Sequence, residues 1–166
     1  MVRPVGDGRY EAYMIPPAAS NHASFVELLP TGELLMAWFS GTAEGANNCS
    51  IVFARLAANS TQWSVPVIVS RREGYSNQNP VLFLDHTQRV LYLFHSQQPA
   101  SSQNVENRED HAHIWQLKSQ DGRGINWTAP MLLFEKDGSF DRNRIILSLE
   151  GTWIYPIYYA GMVKPV

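Results

Sequence analysis

Phe25-Val-Glu-Leu-Leu-Pro-Thr-Gly-Glu-Leu-Leu-Met-Ala-Trp-Phe-Ser-Gly41 is an apolar run, a short polar turn and a second, partly aromatic apolar run. That is the pattern of a β-hairpin, with Pro30, Thr31 and Gly32 supplying the turn. Val81-Leu-Phe-Leu-Asp-His-Thr-Gln-Arg-Val-Leu-Tyr-Leu-Phe-His-Ser-Gln97 and Ile145-Ile-Leu-Ser-Leu-Glu-Gly-Thr-Trp-Ile-Tyr-Pro-Ile-Tyr-Tyr-Ala-Gly161 repeat it. Aligned on Gly32, Gln88 and Gly151, the hairpins recur at offsets of 56 and 63 residues (88 − 32 and 151 − 88). Two further strands follow each of the first two hairpins. They are residues 50–56 and 65–70 in one unit, and 112–118 and 131–134 in the next. The join between those strands repeats as well, Trp63-Ser-Val-Pro66 against Trp127-Thr-Ala-Pro130. Four antiparallel strands per unit at this period predict the blades of a β-propeller. The fold class expected is therefore all-β, a partial propeller of the six-bladed type with about two and a half four-stranded blades.

Composition agrees. Hydrophobic residues make up 45% and charged residues only 17% of 166, enough apolar surface for a packed core. The net charge of −2 provides no basic stripe for nucleic acid, and no apolar run reaches the ~18 residues of a membrane span. Cys49 stands alone, so neither an internal disulfide nor a cysteine zinc site is expected. The amino terminus, Met1-Val-Arg-Pro-Val-Gly-Asp7, lacks a signal-peptide core, and a cytoplasmic location is the default expectation. Residues 99–110 are polar without apolar periodicity and read as a surface loop.

Ser119-Gln-Asp-Gly-Arg-Gly-Ile-Asn-Trp127 resembles the Asp-box of the sialidase (neuraminidase) superfamily, Ser-x-Asp-x-Gly-x-x-Trp, with one extra residue between Asp121 and Trp127. Its expected role is structural: the Asp121 carboxylate satisfies turn amides, Gly124 supplies a positive φ, and Trp127 packs between strands. The first unit carries only a worn version, Ala58-Asn-Ser-Thr-Gln-Trp63. The wider chain, roughly residues 20–161, is similar to the BNR, Asp-box repeat-like sialidases. His22–Gly45 matches their first repeat, Asn79-Pro-Val-Leu-Phe83 the next inner strand, and Asp141–Leu149 the third. The match is to the amino-terminal part of that family only.

The resemblance implies exo-glycosidase chemistry on an acidic terminal sugar, with arginines gripping a carboxylate, an aspartate as acid/base and a Tyr–Glu nucleophile pair. His22 stands where the family's first arginine begins the innermost strand. Imidazole cannot form the bidentate fork, so His22 is expected to act as acid/base, to contact a sugar hydroxyl, or to serve a strand-end hydrogen-bond network. Glu44, the one carboxylate in the loop Ser40–Asn48, is the candidate general acid, expected to be partly desolvated; the alternative is a solvated loop residue. Innermost strands of a propeller line one axial funnel. Their first residues supply the candidate substrate contacts: Asn77, Gln78 and Asn79 in unit two, Arg142, Asn143 and Arg144 in unit three, with Tyr75, Arg71 and Arg72 at the rim. Arg144 is the leading ligand for an acidic sugar and Arg142 its rival.

Other signals are weaker. His111 and His113 share a strand face without a third metal ligand of suitable spacing. Gly122-Arg-Gly124 is followed by no helix, so it is not a nucleotide loop, and no cofactor is implied. Three Asn-x-Ser/Thr sequons occur, at Asn48, Asn59 and Asn126.

The expected organisation is a lead-in over residues 1–19 followed by an incomplete sialidase-like propeller domain over 20–166. The expected function is glycoside hydrolysis at the axial funnel, or a fragment of such an enzyme. The alternative is a carbohydrate-binding or interaction module without catalysis. A period near 60 leaves room for fewer than three blades where closed propellers have four to eight. The expected partners are thus a glycan and the missing half of the propeller.

Overall fold

The computed structural model describes residues 2–161. Strands β1 (Val2–Gly6) and β2 (Arg9–Ala12) form a small amino-terminal hairpin. It lies in the lead-in; Gly6, Asp7 and Gly8, all at positive φ, make its turn.

Two four-stranded antiparallel meanders follow. The first contains β3 (Ser20–Leu28), β4 (Leu34–Gly41), β5 (Ser50–Leu56) and β6 (Val67–Ser70), in that spatial order. The second contains β7 (Tyr75–Asp85), β8 (Val90–Pro99), β9 (His113–Ser119) and β10 (Met131–Phe134). The sixth strand starts at Val67, later than the apolar run suggested, because Pro66 has no N–H for the ladder. The 99–110 loop carries two short 3₁₀ turns, at Ser101–Gln103 and Arg108–His111, and no α-helix occurs among the described residues. No helix there is long and apolar enough to cross a membrane.

The third hairpin is shorter and broken in two. β11 (Ser139–Asp141) pairs with β14 (Ile157–Tyr159), and β12 (Ile146–Leu147) with β13 (Trp153–Ile154). Pro156, between β13 and β14, cannot donate to a ladder, which interrupts the continuous apolar run read there. The turns also align differently: the left-handed residue of the second hairpin is Arg89 (φ 56°), one place after Gln88.

Side-chain alternation gives each sheet two packing faces. Leu35, Phe39, Ile51 and Phe53 of the first sheet meet Leu82, Leu91, Leu93 and Leu117 of the second in one core. The opposite face of the second sheet, Val81, Phe83, Tyr92 and Phe94, is covered by Ile145, Trp153 and Tyr155 of the third hairpin. Trp153 sits edge-on to Phe83 and Tyr92, with centroids 4.6 and 4.9 Å away. Met14 of the lead-in packs with Met36, Trp38 and Trp63 on the outer face of the first sheet. The three layers are thus held by successive apolar contacts, each sheet face finding a partner from the next unit.

Candidate functional site

Both long inner strands carry the same defect at the same place. The β3–β4 register slips between His22 and Phe25, and the β7–β8 register between Gln78 and Val81. In each bulge a non-glycine residue takes positive φ, Ala23 at 51° and Asn79 at 50°. Such a conformation costs about 1 kcal/mol for an L residue and re-aims the side chains beside it. The bulges lie near the strand starts. The loops 42–49 and 100–112 leave from the same end, where Asn77 N donates to Cys49 O and Ser101 N to Gly45 O.

At this end the candidates divide. His22 is exposed, stacks on Phe39 (5.4 Å, 8°) and lines a cleft of about 320 Å³ with Met14, Asn21, Met36 and Trp38. Asn79 Nδ2 lies 3.5 Å from the Tyr158 hydroxyl, which brings the second and third units together. Gln78 is buried, its amide donating to Ser76 Oγ. Tyr75 lies beneath the Arg72 guanidinium (3.9 Å), and Arg72 also donates to Gln97, which donates to Asn77. Arg142 is exposed and makes no ion pair among the described residues. Glu44 is exposed, with no hydrogen-bond partner among the described residues; the partial desolvation expected of it is not there, because residues 42–44 are all exposed at the tip of the loop.

Arg144 is placed elsewhere. Its Nη1 donates to Glu27 Oε2 at 2.7 Å and its Nη2 to Val26 O at 2.9 Å, with the guanidinium over the Phe25 ring. Burial pushes the Glu27 carboxyl above its usual range, and Arg144 opposes that shift. The guanidinium fork is occupied by β3.

The sequence reading missed a buried polar cluster beside this end. Asp141 is fully buried; Ser96 Oγ donates to its Oδ1 and Tyr155 Oη to its Oδ2 at 2.7 Å. Burial pushes the Asp141 carboxyl up to about 7, its two hydroxyl partners only partly offsetting the loss of solvation. On the face of β8 opposite to Ser96, His95, also fully buried, shares a 2.9 Å hydrogen bond with Ser70 Oγ and is pushed down to about 4 by burial. The signal lies in the ladder register: Ser139 pairs with Tyr159 as Tyr75 pairs with Pro99, each preceded by a glycine whose carbonyl accepts from an alanine amide, so Asp141 stands where Asn77 stands.

Far from this end, Asp121 forms the turn expected of it. Ser119 Oγ and the amides of Arg123, Ile125 and Asn126 donate to its carboxylate at 2.7–3.3 Å. Partial burial pushes that carboxyl up, but the Ser119 hydroxyl and the three amides outweigh it, leaving the group below its ordinary value. Gly124 (φ 71°) donates to Ser119 Oγ, and Trp127 meets Phe53 edge-on at 5.5 Å. His113, one of the two histidines, bonds to Asp137 at 2.9 Å.

Repeated bulged hairpins and an aspartate-centred turn accord with a sequence-family comparison: the model of the BNR repeat-like domain matches residues 32–165. The chain belongs to that family. Among solved structures this BNR repeat-like chain resembles the Hadza microbial sialidase Hz136 (TM-score 0.68, 11% identity, over 84% of this chain and 32% of that one). It resembles the NanB sialidase of Streptococcus pneumoniae to the same degree, 0.68 and 11%, over 85% and 41%. An endo-arabinase from Bacteroides thetaiotaomicron follows at 0.53 and 12%, over 86% and 56%. The BNR repeat-like chain therefore spans between a third and two fifths of the length of those sialidases. No curated protein matches it in sequence.

Proposed function

We propose that this chain is part of a sialidase-like propeller that binds the terminal, acidic sugar of a glycan at its strand-start end. In this reading residues 20–166 are an incomplete propeller domain, the two sheets and the broken hairpin are successive blades, and residues 1–19 are a lead-in. A further set of blades completes the ring. The observation that supports it is the paired bulge at Ala23 and Asn79, beside His22 at one strand start, with the Tyr158 hydroxyl 3.5 Å from Asn79 and the Arg142 charge near Tyr158. Arg142 is the guanidinium available to a carboxylate, since Arg144 is occupied by Glu27 and Val26. His22 and Asn79 supply hydroxyl contacts, with Gln78 and Tyr75 behind them. Glu44 is the acid of a glycosidase once substrate or further blades remove it from water.

The exposure of Glu44 favours a second reading, a carbohydrate-binding module without turnover. One pair of measurements separates them: release of methylumbelliferone from an aryl sialoside, and calorimetric titration with the free sugar acid. The enzyme reading expects slow turnover that Glu44→Gln abolishes without loss of binding. Binding unaccompanied by turnover selects the second reading. Absence of both overturns each of them.

A further inference from the structure

Asp141 ties three pieces of chain together from a fully buried position: its own strand β11, Ser96 on β8 and Tyr155 ahead of β14. Its backbone N–H also donates to Ser96 Oγ at 3.0 Å. These bonds lie at the edge of the apolar layer in which Trp153 and Tyr155 meet Phe83, Tyr92 and Phe94. A buried carboxylate needs a cation or several strong N–H donors; here the Ser96 and Tyr155 hydroxyls and the backbone amides of Asp141 and Ser96 favour the charged form, and burial outweighs them.

The surrounding titratable groups are spoken for. On the strands packed against β11, Tyr75 and Asp85 lie on β7, Tyr92 and His95 on β8, His113 and Lys118 on β9, and Tyr158 and Tyr159 on β14. His95 is held neutral by burial and bonds to Ser70; His113 pairs with Asp137; the Lys118 ammonium lies over the Tyr92 ring. Flanking β11, Lys136 lies over the Tyr159 ring and Arg142 is exposed. Among the described residues no cation is in ion-pair contact with Asp141.

The other two units carry a neutral side chain at this place. Asn21 and Asn77 fill the equivalent positions in the first two units. Asn21 Oδ1 accepts from Trp38 Nε1 (3.0 Å), and Asn77 Oδ1 from Gln97 (2.8 Å) while its Nδ2 donates to Cys49 O (2.9 Å). Two of three units thus place a neutral carboxamide there. A neutral carboxylic acid is the matching shape: Oδ1 accepts from Ser96, and the proton on Oδ2 reverses the bond with the Tyr155 hydroxyl.

We propose that Asp141 is a protonation-controlled latch that holds the third hairpin against the second sheet, closed as the neutral acid and loosened as the carboxylate. A carboxyl raised to about 7 supports this. Its stabilising contribution is complete below its ordinary value near 4 and is lost as pH rises through about 7. His95 titrates in the opposite sense, mostly between about 4 and 6.5; its remaining contribution above pH 6.5 is about twofold, opposite in sign and common to wild type and Asp141→Asn.

The test is amide hydrogen exchange of the whole chain at pH 6.5 and 8.5, corrected for the intrinsic rate, on wild type and Asp141→Asn. With a folded value near 7, the opening equilibrium of residues 139–159 rises about fourfold over that interval in wild type relative to Asp141→Asn. Segments 50–56 and 113–119 stay protected. Asp141→Asn, which copies the other two units, shows no such rise. The latch is overturned if wild-type 139–159 shows no added opening, if the loss spreads evenly over the first sheet, or if the asparagine variant keeps the same pH response. Failure of that variant to fold also overturns it, since a neutral amide would then not replace the acid. None of these outcomes depends on sugar binding.

Discussion

Arg123 grips Glu33 with both arms of its guanidinium, Nη2 to Oε1 at 2.9 Å and Nε to Oε2 at 3.0 Å. One residue sits in the aspartate-centred turn of the second sheet and the other at the hairpin turn of the first, 90 positions apart. Glu33 is almost fully buried while half of Arg123 reaches solvent. The bidentate pair closes the two sheets at the end opposite the candidate sugar site, and the turn geometry of Asp121 aims it.

Arg123→Met strands a buried carboxylate. The expected result is a lower urea midpoint with an unchanged slope, the effect reduced by solvent screening of the exposed arginine. The arginine holds the Glu33 carboxyl below its ordinary value, so the pair contributes above roughly pH 4.5 and fades as pH falls. A variant as stable as wild type at pH 7 would show that the pair contributes nothing.

Gly124→Ala meets two obstacles. The backbone sits at φ 71°, and the added Cβ would lie 2.5 Å from Phe53 Cζ and 3.0 Å from Trp127. Left-handed strain and overpacking together predict a loss of about 2–4 kcal/mol by thermal or chemical unfolding. Gly151→Ala is the control: its φ is 82° but nothing lies within 4 Å, so only the backbone cost of about 1 kcal/mol remains.

His95 is buried neutral with a pKa near 4, so folding must exclude a proton that the unfolded chain binds below about 6.5. Stability present above 6.5 is therefore lost as pH falls toward 4, by up to about 3 kcal/mol for this group. His95→Gln keeps a hydrogen-bonding partner for Ser70 and is expected to flatten the acid limb of the unfolding profile. An unchanged acid limb would mean that His95 is not the group responsible.

Arg142 and Arg144 are expected to part company. Arg144→Met removes two hydrogen bonds to β3 and lowers stability by roughly 1 kcal/mol, discounted for a half-exposed side chain. Arg142→Met leaves the melting temperature in place and, on the proposed reading, weakens sugar-acid binding at least tenfold, the loss of one charge-assisted contact. A melting shift in Arg142→Met without a binding change would exclude it from the site.

Local signals were legible from residues alone. Apolar runs bounded by Pro30-Thr-Gly32 and by Asp85–Arg89 placed the long hairpins, because alternation and turn chemistry act over a few neighbours. Ser119, Asp121, Gly124 and Trp127 announced their turn for the same reason. Gly6-Asp-Gly8 marks an amino-terminal hairpin that the apolar pattern does not reveal, and Pro156 breaks the ladder of the third hairpin that the apolar run predicts as continuous.

The sequence by itself thus determined an all-β chain of repeating hairpins, their approximate period and the turn that joins the outer strands. Only the tertiary structure decided that Ala23 and Asn79 bulge, that Arg144 belongs to Glu27 rather than to a ligand, and that Asp141 is buried between Ser96 and Tyr155. The reason is range. A strand's pattern follows from steric preferences of adjacent residues, whereas the burial of a carboxyl and the partner of a guanidinium depend on residues 14 to 118 positions away, brought near only when the sheets stack.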